Sequence, residues 1–220
     1  MTIVLIIVVL FVVVGWFYFN FLRDPAEVRS AYEGKTPEQK EVIRYFLIDG
    51  CLQKRMSDAE YDALVRKETS NLKQRGMDKI GLDEEQLKEI EPVHFEDFVF
   101  NDDCYQKKGD DDIWRSSKYQ VTWLFFSDTE VYVYQKTISF DEKKDKERTE
   151  EYFYKDIVSF STVNENEEID IDGVIQRFDV TQFKIVVPGD SFFCAMCQNE
   201  YTERSIQGMK SKLREKKLVN

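Results

Sequence analysis

Lys118 to Phe140 reads KYQVTWLFFSDTEVYVYQKTISF, two runs rich in aromatic and β-branched residues on either side of Ser127-Asp128-Thr129. Such side chains suit a pleated, half-buried surface, and a short polar cluster between two of these runs marks a turn. The stretch therefore predicts a β-hairpin, Lys118 to Phe126 and Glu130 to Phe140. The same pattern begins at Val93, where helical spacing gives way to alternation, and it predicts further strands over Val93 to Phe100, Glu150 to Ser161, Val174 to Asp179, Gln182 to Val187 and Ser191 to Cys197. The charged run Asp141 to Arg148, the acidic run Asn164 to Gly173 and Pro188-Gly189-Asp190 read as the loops between them. A final helix from Thr202 to about Lys217 carries Ile206, Met209 and Leu213 as an apolar stripe.

Upstream of Val93 the spacing is helical. Thr36-Pro37-Glu38-Gln39 has a capping hydroxyl, a proline suited to the first helical position and the glutamine of a capping box, and Val42, Ile43, Phe46 and Leu47 come next on one face, predicting a helix to about Leu52. Ser57-Asp58-Ala59-Glu60 is a second capping box, opening a helix that carries Tyr61, Leu64, Val65 and Leu72 and stops at Gly76. Asp83-Glu84-Glu85-Gln86 starts a shorter one that ends before Pro92.

Met1 to Leu22, MTIVLIIVVLFVVVGWFYFNFL, has no charged side chain, and about 20 apolar residues suffice to cross a bilayer core. Trp16, Tyr18 and Arg23 then mark a membrane interface, and Arg23, Arg29, Lys35 and Lys40 after the run place the rest of the chain on the cytoplasmic side. A cleaved signal peptide is the rival reading, but the run lacks a basic start and a small-residue cleavage site. The expectation is a single-pass protein of the cell membrane, divided into an anchor (1–22), a linker (23–35), a helical region (36–91) and a β domain (92–220). Four scattered cysteines, Cys51, Cys104, Cys194 and Cys197, do not form a disulfide framework and suit a reducing compartment.

These residues carry two resemblances. IDGCLQKRMSDAEYDALVRK, Ile48 to Lys67, is similar to the SHOCT motif, a small bacterial helical hairpin with a glycine turn and a capped helix, which implies association. Val93 to Lys217, with about seven strands and a closing helix, resembles the pleckstrin-homology-like superfold, including bacterial and GRAM-type members. Tyr154-Lys155-Asp156-Ile157-Val158-Ser159-Phe160 matches the style of the strand that crosses to the second sheet there. The implied fold class is α+β: a single N-terminal transmembrane helix, a small helical hairpin, then a PH-like β-barrel or sandwich closed by a C-terminal helix.

Few residues point to chemistry. Cys194-Ala195-Met196-Cys197 is a CxxC without a second ligand pair or a following helix start, and His94 is the only histidine. Glu168, Asp170, Asp172 and Gly173 match a calcium loop poorly, with Ile169 and Ile171 where polar ligands belong, and Asp110-Asp111-Asp112 beside Gly109 reads as a solvated loop. Phosphate-binding glycine loops, G-x-S-x-G and kinase signatures are absent from the sequence. No catalytic residue, metal ligand or cofactor is expected.

The net charge of -11 disfavours nucleic acid and anionic lipid as general partners. Against that field stand Arg204, Lys210, Lys212, Arg214, Lys216 and Lys217 on the last helix, candidates for facing an anionic surface or an acidic partner. Their positive ends also complement the helix dipole without any partner. The resemblance implies a non-catalytic adaptor or scaffold that binds a protein partner, or itself, at the membrane. Lipid recognition through the basic helix and an enzyme without a recognisable motif remain as alternatives.

Overall fold

The computed structural model describes residues 2–17, 24–48, 55–83, 91–171 and 173–218. Among these residues six helices and nine strands come in this order: α1 (Thr2–Phe17), α2 (Ala26–Ala31), α3 (Pro37–Leu47), α4 (Asp58–Thr69), α5 (Leu72–Ile80), β1 (Val93–Phe98), β2 (Gln106–Lys108), β3 (Trp114–Ser116), β4 (Lys118–Phe126), β5 (Glu130–Ser139), β6 (Lys146–Phe153), β7 (Ser159–Ile171), β8 (Val174–Val187), β9 (Asp190–Ala195) and α6 (Glu200–Leu218). All strand pairing is antiparallel, in a four-stranded sheet of order β1-β4-β5-β6, a three-stranded sheet of order β7-β8-β9 and the small β2-β3 ribbon.

Alternation along β4 and β5 explains how one sheet serves two cores. Leu124 and Phe126, with Val131 and Val133, point toward the three-stranded sheet and meet Phe160, Phe183, Ile185 and Phe192 there, with Ile206, Met209 and Leu213 of α6. Val121 and Phe125, with Tyr134 and Ile138, point the other way and pack under α3, α4 and α5. Tyr61 of α4 is the centre of this second core: its ring stacks on Tyr45 at 4.8 Å, stands edge-on to Phe46 at 5.2 Å, and its hydroxyl donates to the Ser116 carbonyl at 2.6 Å. A buried phenol needs such a partner, and this one ties the helices to the end of β3.

Both capping boxes form. The Gln39 amide donates to Thr36 Oγ1 while Gln39 Oε1 accepts from the Thr36 amide, and Ser57 and Glu60 exchange the same pair. Gly76 does not end its helix as expected. α4 stops at Thr69, α5 runs through Gly76, and Gly81, at φ 79°, is the left-handed cap. What requires a glycine at 76 is the ring of Tyr134, which a Cβ there would meet at 2.9 Å. Gly76→Val is expected to lower stability by about 2 kcal/mol through overpacking and β-branching, measured by urea denaturation; an unchanged midpoint would show that α5 does not rest on Tyr134.

Two expectations are corrected. The first is the transmembrane helix: the described part of α1 has 16 residues, roughly 24 Å at 1.5 Å per residue, against a hydrocarbon core of about 30 Å. Among the described residues no helix is long and apolar enough to cross a membrane, which overturns the single-pass anchor and the cell-membrane localisation built on it. Of the expected interface residues, Trp16 lies on α1, whereas Tyr18 and Arg23 lie outside the described residues, as do Cys51 and the helix predicted after Asp83.

The closed barrel is also overturned. The sheets are open, because β6 pairs only with β5 and β7 only with β8 among the described strands, and the chain turns between them at Tyr154 to Ile157 instead of continuing the ladder. Tyr154 fixes this crossover by donating its hydroxyl to the Ser127 carbonyl at 3.1 Å, and Ile157 is fully buried beside it.

Candidate functional site

A groove of about 440 Å³ lies between α6 and the inner face of β7 and β8. Its floor is set by the strand register. Phe160 of β7 is opposite Ile185 and both are in the core, but the next residues on that face, Thr162 and Asn164, and Thr181 opposite Asn164, are polar. The core therefore ends while the strands continue. Ile206, Gln207, Arg204 and Lys210 of α6 form the other wall, with Met196 at the end. Asn199 and Thr202 set where that wall begins, each side chain accepting from the other's amide at 3.0 Å, as in a capping box. Along the groove β7 offers an edge that no described strand pairs, since it is the terminal strand of its sheet.

The six basic residues of α6 do not converge. Arg204 and Lys210 line the groove. Lys216 pairs with Asp128 at 3.2 Å, Lys217 donates to the Val158 carbonyl at 3.3 Å, and Lys212 pairs with Glu215 at 3.2 Å; Arg214 is exposed. They flank the buried Ile206, Met209 and Leu213 on both sides, so the helix shows no single basic face.

A larger cleft, about 650 Å³, opens at the polar end of the sandwich. Its floor is an amide network. Gln135 Nε2 donates to Gln120 Oε1, to Thr122 Oγ1 and to the Phe193 carbonyl, Gln120 Oε1 also accepts from the Ala195 amide, and Arg148 donates to Gln135 Oε1. These bonds lock β9 to β4 and β5. Of the cations at its rim, Lys118 and Lys144 both pair with Glu142.

The remaining sequence candidates have structural partners. His94 stacks on Trp123 at 4.6 Å with its Nδ1 3.3 Å from the Tyr201 hydroxyl. Cys194 is buried and its thiol is pushed up to about 12 by desolvation; Cys197 is exposed, and the two are not bonded to each other. Glu168 pairs with Arg177, and Asp170 accepts from the Gly173 amide. Among the described residues no group of three or more metal-ligating side chains occurs. The stretch from Asn164 to Ile171, expected as an acidic loop, is strand: Asn164 to Ile171 pair with Thr181 to Val174 in an extended arm.

Sequence reasoning missed Arg115. Its side chain is 3% exposed, and it donates through Nε and Nη2 to Asp62 at 2.7 and 2.8 Å and through Nη1 and Nη2 to Asp111 at 2.8 Å each. Asp58 extends the clamp, accepting from the Asp110 amide at 2.7 Å and from the Tyr45 hydroxyl at 2.8 Å. Arg115 to Asp62 and the Asp110 amide to Asp58 thus fix the β2-β3 ribbon to α4, and Asp111 braces the guanidinium from within the ribbon segment. A Cβ at Gly109 would collide with the Arg115 guanidinium, so a larger residue there would displace the clamp's side chains.

Asp97 is the opposite case. Among the described residues its carboxylate has no cationic partner, only the Phe98 amide at 2.7 Å, and burial lifts its pKa to about 6. An acid whose folded pKa lies above its unfolded value near 4 binds its proton more tightly when folded. Stability should therefore fall as pH rises from about 4 to about 6 and stay lower above that. Asp97→Asn should raise stability at pH 7.5 by about 2 kcal/mol and flatten that part of the profile, as read from urea midpoints against pH. A loss of stability would show the carboxylate to be satisfied.

Compared with known proteins, the chain matches no family model, no curated protein and no solved structure.

Proposed function

We propose that this chain is a non-catalytic binding protein that takes an extended polypeptide segment along the open edge of β7, with the segment's side chains entering the groove beneath α6. The observation that carries the reading is an unpaired strand edge over Ser159–Ile171 running beside a groove with a part-polar, part-apolar lining. An open edge presents unpaired amides and carbonyls, the usual template for strand addition, while pockets beside it select side chains. Glu165, Glu167, Glu168 and Asp170 on β7 favour a basic segment at the distal part of the edge.

The test is a peptide-library selection with the full chain, then NMR of the selected peptide's complex. Amide protection along 159–171 is expected on binding, together with at least a tenfold loss of affinity when alternate peptide amides are N-methylated. Gln207→Trp, an exposed position on the groove wall, should weaken binding comparably without altering the thermal midpoint. Binding that leaves the β7 amides unprotected and ignores N-methylation would sink the reading.

A further inference from the structure

A third cavity, a chamber of about 360 Å³, lies against the outer edge of β1, away from the groove. Even-numbered residues of β1 turn their backbone groups outward, and these meet single partners instead of a neighbouring strand: the Glu96 carbonyl accepts from the Cys197 amide at 3.1 Å and the Phe98 amide donates to the Asp97 carboxylate. The edge is thus held open, with Trp114 on one side and the start of α6 on the other. Its walls are aromatic, from Trp114, Tyr119, Tyr201 and His94, and its charged lining residues are Glu96 and Asp97, with no lysine or arginine. Trp114 is fixed by an edge-on contact with Phe178 at 4.9 Å, and Tyr119 by one with Phe98 at 4.9 Å.

Aromatic side chains lining a chamber, beside a half-buried carboxylate that no described cation pairs, are surroundings that suit a weakly hydrated organic cation. We propose that this chamber binds an organic ammonium group, with Asp97 as counter-ion and the aromatic side chains as walls. The group could be carried by a lysine side chain or by a small methylated amine, which share the same recognition chemistry. The site is independent of the β7 groove. The titratable groups that line the chamber with Asp97 are Glu96 and His94 on β1, Tyr119 on β4, Cys197 after β9 and Tyr201 on α6, none of them a fixed cation. Burial lifts the Asp97 pKa to about 6, so the ligand, which needs the carboxylate ionised, should bind about tenfold more weakly at pH 5 than at pH 7.5.

The experiment titrates the full chain with tetramethylammonium chloride, with Nα-acetyl-lysine amide, with sodium chloride and with 3,3-dimethylbutanol, a neutral molecule of similar shape, tracking the Trp114 indole and the amides of 94–98 by NMR. Saturable shifts with an ammonium compound, absent with salt and with the alcohol, are expected. Tighter binding of tetramethylammonium assigns the site to a methylated amine, and tighter binding of the lysine amide to a peptide side chain. Asp97→Asn should weaken binding at least tenfold at pH 7.5 and remove its pH dependence. Tyr201→Ala, an exposed substitution, should weaken it several-fold. Equal binding of the alcohol, or binding unchanged in both variants, would overturn the proposal, and neither result would bear on the β7 edge.

Discussion

Replacing Arg115 by methionine is expected to lower stability by about 3 kcal/mol or more, read as a shift in the urea midpoint at constant slope. The guanidinium is nearly inaccessible and serves two carboxylates, each by a two-point contact. Without it, Asp62 and Asp111 face each other, and the acids that held the ribbon repel it. Part-exposure of both carboxylates keeps the effect at the lower end of that known for broken buried pairs. Lysine should not rescue, because one ammonium cannot reproduce the fork that spans both acids. Adding Asp62→Asn to Arg115→Met should recover part of the loss, and no recovery would mean that the clamp acts through packing alone. The acid side has the matching sign. Hydrogen bonds from Arg115 hold the Asp111 carboxyl well below the usual range, and those from Arg75 and Lys79 do the same for Glu147. Both depressed acids contribute stability above the unfolded carboxylate range near pH 4, and it is lost as pH falls through their lower folded values.

The clamp also shows where sequence reasoning ends. Ser57 and Glu60, or Thr36 and Gln39, find each other within one turn of helix, so their chemistry is legible from spacing alone. Asp62 and Arg115 are 53 residues apart, and no local pattern joins them. The alternation from Lys118 to Phe140 identifies β4 and β5 because one face of each is apolar, but β2 and β3 have three residues each, too few for a period to register. Composition misleads over Asn164 to Ile171, where four carboxylates suggest a loop although Ile169 and Ile171 keep the alternation. The apolar stripe of α6 is legible and places Ile206, Met209 and Leu213 correctly in the core. The groove beside it is not, since it depends on β7 being the last strand of its sheet, a fact about pairing.

Phe178→Ala is expected to cost about 3 kcal/mol, most of it confined to the β7-β8 arm. Near its base the arm buries the face that carries Phe160 and Phe183; beyond Asn164 it buries the other, through Ile169 and Phe178. Phe178 is 4% exposed, stacked on Phe100 at 4.6 Å and met edge-on by Trp114 at 4.9 Å. Those rings come from the segment after β1 and from β3, so one side chain joins the far end of the arm to the opposite sheet's surroundings. Aromatic pairs add about 0.5–1.5 kcal/mol each beyond burial, and alanine removes both. Because cross-strand bonds continue on either side, the arm should open locally before the sandwich unfolds. Hydrogen exchange of residues 165–179 should accelerate by about two orders of magnitude, while the amides of β4 and β5 keep their protection up to the global limit. Phe178→Leu should retain about half of the lost stability, since it fills volume without the ring contacts. Uniform acceleration across all strands would instead make the arm part of the cooperative core. The outcome bears on both binding proposals. The base of the arm supplies the groove beside β7, its distal part supplies the rest of the β7 edge, and Trp114, which Phe178 steadies, is a wall of the ammonium chamber, so a loosened arm should weaken ligand binding at the chamber and along the distal edge while leaving the groove at Thr162 and Asn164 intact.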